Sequence, residues 1–265
     1  MYLCLLFLHL LLLSDISSVR MIRSRFLSRI HDLPRILGES LHVQNKKIIT
    51  LSPGGFRGFY IFGLCKFLKE KYDIQDYVFS GASAGAWNSL FLCLKKNDND
   101  FVENIYNINF QNVTDLNTIE NMVKDAILEK YTSDDFDLHK LYIGTTVFKR
   151  FRFQTVIYTD FDDLEDALNC CIASSHIPFV TGKLFYKYRG LYSFDGGFSK
   201  YPYLNGAYAN IHITPGIWED KKKNTFNITD YTSLFSKKKV DFNVLFKQGY
   251  EDAHKNKERL DKLFL

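Results

Sequence analysis

The sequence lacks the features that mark multi-span membrane proteins, nucleic-acid-binding proteins, repeat proteins and disulfide-rich proteins. Its mean hydropathy of -0.16 argues against a protein with many membrane spans. A formal net charge of +4 is too small to indicate nucleic acid as a partner. The chain of 265 residues has no internal repeat, and its length suits one domain with a proper core. Only five cysteines occur, and their odd number and irregular spacing fit neither a zinc site nor a disulfide framework: Cys4, Cys65, Cys93, Cys170 and Cys171.

The N-terminus differs in character from the rest of the chain. Residues 1–20 open with the apolar run MYLCLLFLHLLLL at positions 1–13, shorter than the ~20 residues that a spanning helix needs. The run lacks the basic start and small-residue cleavage site of a secretory signal. Three interpretations stay open: a signal, a membrane anchor, or an extension of little consequence. Residues 21–45 predict a basic amphipathic helix, which would either lie on an anionic membrane surface or cover the flank of the domain.

The middle of the chain alternates between strand and helix patterns. Residues 47–52 predict a buried strand, a glycine turn follows, and apolar spacing predicts a helix over 58–70. The same order recurs with a strand at 77–80, a second glycine turn and a helix to about residue 95. Such alternation predicts an α/β fold: a central, mostly parallel sheet with helices on both faces.

Further elements are predicted downstream. Residues 97–137 are polar and poorly periodic, apart from one predicted helix. The predictions are helices over 118–129, 162–174 and 240–265, and strands over 141–148, 153–158 and 192–194.

A serine lies in the second glycine turn. The segment Gly81-Ala-Ser83-Ala-Gly85 matches G-x-S-x-G, with a predicted strand before it and a predicted helix after it. Such a sharp turn leaves room only for small residues beside the serine. The serine hydroxyl is then exposed at the carboxyl edge of the sheet. The helix N-terminus beneath it favours developing negative charge. This context favours a nucleophile over a structural turn.

The first glycine turn, PGGFRG at 53–58, should open on the same sheet edge as Ser83. Its glycines expose backbone N–H groups that could hold the oxyanion formed in acyl transfer. Pro53 has no N–H, so the donors must be at Gly54, Gly55 or beyond. A phosphate-cradling loop and a plain turn are the alternatives. A Walker loop is excluded, because no Gly-Lys-Ser/Thr follows.

A nucleophilic serine also needs a base. His212 and His254 are candidates for a Ser-His-Asp triad, but neither has the expected loop setting, and His254 lies in a predicted helix. Asp195 ends a short predicted strand and is followed by Gly196-Gly197. An aspartate can accept the serine proton directly when it is hydrogen-bonded to it. A simple Asp-Gly turn is the alternative for Asp195.

Four segments, PGGFRG, GASAG, ASSHIP and DGGFSKYP, occur in the order and spacing of the patatin-like phospholipase family, over roughly residues 46–206. The chain resembles this family. The resemblance implies that Ser83 is the nucleophile and Asp195 the base of a catalytic dyad. It implies that the oxyanion loop is formed by Gly54 and Gly55 as donors, Arg57 as the basic residue that steadies it, and Gly58 as its end. The segment Ala173–Pro178 corresponds to the one beside the dyad in the family.

Two departures from the family pattern stand out. Pro53 replaces the first glycine of the oxyanion loop, which should be tolerated if the next two glycines supply the N–H groups. Lys200-Tyr201 precede Pro202, where the family often has an asparagine. His176 occupies a variable position near the site and is predicted to touch substrate.

The resemblance implies a three-layer α/β/α domain that hydrolyses acyl lipids. Glycerophospholipids are the expected substrates, a membrane surface the expected partner, and no metal or organic cofactor is needed. The catalytic domain is expected to cover 46–206, with 207–265 as a C-terminal extension packed on it. The alternatives are a Ser-His-Asp esterase acting on small esters and a non-catalytic lipid-binding member of the family.

Overall fold

The computed structural model describes most of the chain beyond the N-terminal segment. The predictions for residues 1–20 and 21–45 lie outside the described residues. The described residues are 46–110, 113, 116–149, 152–178, 180–181, 185–199, 202–204, 209–219 and 241–264.

Seven strands of the described residues form one sheet in the order β5-β6-β3-β2-β1-β7, with β4 on the other edge of β3. Strands β7, β1, β2 and β3 run parallel to one another, whereas β4 and β6 run antiparallel to β3, and β5 antiparallel to β6. The strands are β1 Lys47–Leu51, β2 Tyr77–Ala82, β3 Leu141–Lys149, β4 Arg152–Tyr158, β5 Tyr186–Tyr188, β6 Leu191–Phe194 and β7 Ile211–Ile213.

Helices flank this sheet. They are α1 Gly58–Lys71, α2 Ala84–Leu92, α3 Asp98–Tyr106, α4 Leu116–Lys130, α5 Leu164–Ser174, α6 Phe242–Lys255 and α7 Lys257–Phe264. Short 3-10 turns lie at Gly55–Arg57, Ser133–Asp135, Leu138–Lys140 and Gly196–Phe198. The predicted three-layer α/β/α fold with a mostly parallel central sheet is confirmed. Among the helices of the described residues, none has the length and apolar character to cross a membrane.

The core follows from the alternation of side chains along the buried strands. On one face, Ile49, Phe79 and Leu141 belong to a large apolar cluster shared with the helices. On the other face, Ile48 and Val78 belong to a smaller one. The four cysteines that the structure describes are buried free thiols in the large cluster, as expected for small core side chains.

Helix α6, near the end of the described residues, crosses α1 at very short range. A Cβ atom on Gly63 of α1 would overlap the backbone of Phe246, and one on Gly249 of α6 would overlap the backbone of Tyr60. The two glycines therefore let the helix backbones touch. Around this crossing the packing is aromatic, with the Phe242 ring stacked on Phe59 at a centroid distance of 4.3 Å.

Three elements of the described residues escaped the sequence analysis. Helix α3 has a polar sequence and buries a short apolar row that includes Phe101, Val102 and Ile105. Strands β5 and β7 have three residues each, too few for an alternating pattern to emerge. The other predicted helices and strands match observed elements to within a few residues, except that the C-terminal helix is two helices, α6 and α7.

Candidate active site

Ser83 lies between β2 and α2 with a strained backbone. Its φ of 54° and ψ of -127° are rare for any residue with a side chain. A Cβ atom on Gly81 would overlap the carbonyl of Gly85, and one on Gly85 would overlap the carbonyl of Leu51. Both flanking positions of the elbow thus require glycine for steric reasons, as the motif indicates.

Ser174, at the end of α5, secures this strained turn. Its hydroxyl oxygen accepts a hydrogen bond from the backbone N–H of Ser83 at 2.8 Å and donates one to the carbonyl of Gly144 at 2.6 Å. The side chain is fully buried, so neither bond competes with solvent. Ser174 therefore links the serine turn to β3.

Asp195 directly follows β6, and its side chain meets Ser83. The Ser83 hydroxyl is placed to donate a hydrogen bond to the Asp195 carboxylate. A second donor, the N–H of Gly197, lies 2.6 Å from Oδ1, and the N–H of Asp195 itself donates to the carbonyl of His176 at 2.7 Å. Both Ser83 and Asp195 are only 6% exposed. The two residues are thus brought together although 112 positions separate them.

Burial sets the protonation of Asp195. Desolvation raises the pKa of its carboxyl to about 6, and the hydrogen bonds from Ser83 and Gly197 lower it only in part. At neutral pH the group is mostly ionised and free to accept a proton.

The glycine turn at 53–58 lies beside this pair. The N–H of Arg57 donates to the carbonyl of Gly54, and the N–H of Gly58 donates to the carbonyls of Gly55 and Phe56. The N–H groups of Gly54 and Gly55 donate to no acceptor in the described part of the chain. Gly55 has a φ of 52°, so the turn uses the left-handed region.

The two glycine turns are tied to each other. Asn88 of α2 donates from one amide nitrogen to the carbonyl of Gly58 at 3.0 Å and to that of Ala84 at 2.9 Å. A Cβ atom on Gly197 would lie 3.2 Å from the ring of Pro53, so the Asp195 turn borders the same loop. The side chain of Arg57 is exposed and lies within electrostatic range of Tyr60.

An apolar cavity of about 150 Å³ extends from Ser83 between the helices. Gly55 and Gly58 line it near the serine. Its walls are largely aromatic and aliphatic, and include Phe59, Phe62, Trp87, Phe91, Ile119 and Val123. A carbon chain attached to a carbonyl at Ser83 has apolar surface to bury against.

The two histidines considered for a triad have other partners. His212 pairs through Nδ1 with the Thr50 hydroxyl at 2.7 Å, and the His254 ring packs against Phe67. Within the described contacts, neither histidine meets Ser83. His176 is 3% exposed, and its Nδ1 lies 3.2 Å from the Thr181 hydroxyl. Its ring is not part of the cavity lining, so its contact with substrate stays a prediction.

Sequence reasoning missed Asn88, Trp87 and Glu120 as parts of the site. Asn88 and Trp87 follow the serine motif within two turns of helix, which was a usable signal. Glu120 shares one helical face with Leu116 and Val123, so a carboxyl in an apolar stripe was visible too. In the described ranges, no group of three or more side chains could hold a metal ion.

The fold and the site define an α/β protein with a serine at a strand-to-helix turn beside a buried carboxylate. The sequence model of the patatin-like phospholipase family matches residues 49–205, more than half of the chain. The chain belongs to the patatin-like phospholipase family, which supports a hydrolase role in lipid metabolism. Comparison with curated proteins gives no match.

Proposed function

We propose that the protein hydrolyses fatty-acyl esters of glycerophospholipids through a catalytic dyad of Ser83 and Asp195. One observation carries the proposal: a serine in a strained strand-to-helix turn faces a buried carboxylate at the end of an apolar cavity. Family membership supports the lipid substrate class. No metal or organic cofactor enters the scheme.

In the first half-reaction, Ser83 Oγ attacks the ester carbonyl carbon while Asp195 takes the hydroxyl proton. The carbonyl oxygen becomes an oxyanion, and the N–H groups of Gly54 and Gly55 are the proposed donors to it. The C–O bond to the glycerol then breaks, and Asp195 returns its proton to the departing alkoxide. The products are a lysophospholipid and an acyl ester on Ser83.

In the second half-reaction, a water molecule attacks the acyl carbonyl and gives a proton to Asp195. The bond to Ser83 Oγ breaks, the proton passes to the serine, and the fatty acid is released. Asp195 can serve in both halves because a carboxyl with a pKa of about 6 both accepts and returns a proton near neutral pH. The acyl chain would occupy the apolar cavity throughout.

The proposal is tested by incubating wild type and S83A with phosphatidylcholine vesicles and analysing the products by mass spectrometry. Wild type should release fatty acid and lysophospholipid, and S83A should release neither, with circular dichroism confirming that both are folded. Equal release by both proteins would contradict the proposal. Binding of vesicles without hydrolysis by wild type would instead favour the lipid-binding alternative.

The triad alternative is tested separately. The dyad scheme predicts that H212A and H254A keep nearly full activity, because their described contacts are with Thr50 and Phe67. A loss in either variant as large as that in D195N would favour a Ser-His-Asp esterase.

A further inference from the structure

Exposed apolar side chains gather on the segments that lead into the site. Among the described residues, five large apolar or aromatic side chains are exposed, and two of them, Phe185 and Tyr192, are in contact, with ring centroids 5.0 Å apart. Their exposed fractions are 49% and 47%. Tyr192 lies on β6, the strand that Asp195 directly follows. A third exposed side chain, Val180, directly precedes Thr181, which lines the cavity.

Strand pairing places the two exposed rings in one aromatic row. Phe148 of β3 is paired with Phe153 of β4 on one side and with Tyr192 of β6 on the other. Residues that are directly paired on antiparallel strands put their side chains on the same face of the sheet. The Phe194 ring joins the row, at 5.4 Å from the Phe153 ring and 6.1 Å from the Phe185 ring. Buried and half-buried aromatic neighbours therefore hold the two exposed rings in place.

Basic side chains border this aromatic row. Lys187 of β5 is paired with Tyr192, and Lys149 and Arg152 are paired with each other at the end of the β3–β4 hairpin. All three are exposed, and none of them forms an ion pair within the described part of the chain. The sequence has neither Asp nor Glu from 141 to 159 or from 167 to 194, so the β3–β4 and β5–β6 hairpins contain charges of one sign only.

We propose that this surface docks the protein on a lipid bilayer that contains anionic phospholipids, with Phe185 and Tyr192 entering the membrane–water interface. Aromatic rings favour that interface, and anionic headgroups attract Lys and Arg. Because Asp195 directly follows β6, docking by this surface brings the site towards the lipid. The docking surface stands on its own observations, whereas its role in presenting substrate rests on the proposed function.

A second copy of the chain fits this surface less well. In a two-fold symmetric dimer the same surface meets itself, which brings the basic residues of one copy towards those of the other. Like charges that face each other across an interface are unfavourable. An anionic lipid surface instead offers phosphate groups to Lys149, Arg152 and Lys187. The charge of the surface therefore favours the bilayer as its partner.

Vesicle sedimentation tests the docking surface without relying on hydrolysis. The S83A protein is used, so that no acyl transfer by Ser83 changes the vesicles during the measurement. We expect it to bind equimolar phosphatidylcholine–phosphatidylglycerol vesicles more tightly than phosphatidylcholine vesicles, and added salt should weaken this binding. Adding K149Q/R152Q/K187Q should lower the affinity for the mixed vesicles by ~100-fold. Adding F185S/Y192S should lower it by about tenfold.

Matched controls change the same kinds of residue elsewhere. V244S removes an exposed apolar side chain from α6, and K46Q/K130Q/K247Q removes three exposed lysines and thus the same amount of charge. Both should bind nearly as tightly as S83A itself. The proposal is overturned if the surface variants bind as S83A does, or if the lysine control loses as much affinity as K149Q/R152Q/K187Q. Folded S83A that binds no mixed vesicles would also overturn it.

A tryptophan probe shows whether the aromatic row enters the lipid. In the S83A background, F185W should add fluorescence that brominated acyl chains in mixed vesicles quench, because the ring at this position lies in the interface. V244W should add fluorescence that is not quenched, since Val244 is exposed on α6. Equal quenching of the two variants would contradict docking by this surface.

Hydrolysis by proteins that retain Ser83 separates docking from catalysis. F185S/Y192S should lower the rate on mixed vesicles and leave the rate on a dissolved short-chain ester near that of wild type. Equal losses on both substrates would contradict a docking role. Folded wild type that binds mixed vesicles through this surface but hydrolyses neither substrate would remove the proposed function and leave the docking surface in place.

Discussion

The sheet edge that carries Ser83 and the crossing of α1 with α6 are both built on glycines, but for different purposes. At the sheet edge, Gly81 and Gly85 let backbones pass so that one hydroxyl takes up a defined position. At the helix crossing, Gly63 and Gly249 let two helices approach so that aromatic rings can pack around them. The sheet edge thus fixes the position of a few reacting atoms, whereas the helix crossing buries aromatic side chains.

Only one of the two regions lies within the match to the family model. The match over 49–205 contains the sheet edge and α1, but α6 lies beyond it. They meet at Phe59, which lines the cavity and stacks on Phe242 of α6. This difference predicts that substitutions of the reacting side chains at the sheet edge, Ser83 and Asp195, lower turnover with little effect on stability, whereas those at the crossing lower stability first.

The largest expected effect is that of D195N. Loss of the proposed base should lower kcat by ~100- to 10,000-fold, the usual contribution of general base catalysis. Stability at neutral pH should not fall, because burial of the charged carboxylate is unfavourable and the amide carries no charge. Steady-state kinetics and urea unfolding measure the two quantities. D125N, at an exposed aspartate on α4, is the control and should match wild type.

The second-largest effect on turnover is expected at Gly55, in the proposed oxyanion loop. G55A forces an L side chain into left-handed backbone, so the loop should distort and kcat should fall by up to about 100-fold. G54A is the matched control: Gly54 has a φ of -160° and ordinary contact distances for an added Cβ, and alanine keeps the N–H. Equal losses in G54A and G55A would show that loop geometry is not the cause.

Acid should produce a graded loss of activity. Protonated Asp195 cannot accept the Ser83 proton, so kcat/KM should fall about tenfold per pH unit below a pH of about 6. Protonation of Asp195 has the opposite effect on stability, because it favours the folded state. The pKa of Asp195 in the folded state lies above the ordinary aspartate value of 3.8, so between a pH of about 3.8 and 6 the folded state binds more protons than the unfolded state.

The Asp195 contribution to the free energy of unfolding therefore decreases as pH rises through that window. Thermal melts of wild type and D195N across it isolate this contribution, because asparagine does not titrate. An acid limb near the ordinary aspartate pKa would contradict a desolvated Asp195.

The smallest effect on turnover is expected at the helix crossing. G249L would insert a side chain where the backbone of Tyr60 lies, and overpacking should lower the free energy of unfolding by ~1–3 kcal/mol or more. Urea unfolding measures this, and kcat per folded molecule should stay near wild type. Q248L, at the exposed neighbouring position, is the control and should leave stability almost unchanged.

Features set by local sequence patterns could be predicted, whereas features set by tertiary contacts could not. The strands β1 and β2 and the meeting of their glycine turns follow from local patterns, because parallel strands bring their carboxyl ends to one edge. The proximity of Ser83 to Asp195 does not follow from that rule, because β6, which precedes Asp195, runs antiparallel to β3; it was implied by the family resemblance. Helix α3 was missed because a few buried apolar residues hold a polar segment in place. The hydrogen bonds of Ser174 to Ser83 and Gly144 depend on tertiary contacts, which no local pattern encodes.

Active-site labelling tests the central claim most directly. A fluorophosphonate probe reacts with a serine only when its hydroxyl is activated, and peptide mass spectrometry locates the adduct. The account predicts that folded wild type carries the label on Ser83 and that D195N is labelled far more slowly. Folded wild type that stays unlabelled, or that carries the label on another residue, would contradict it.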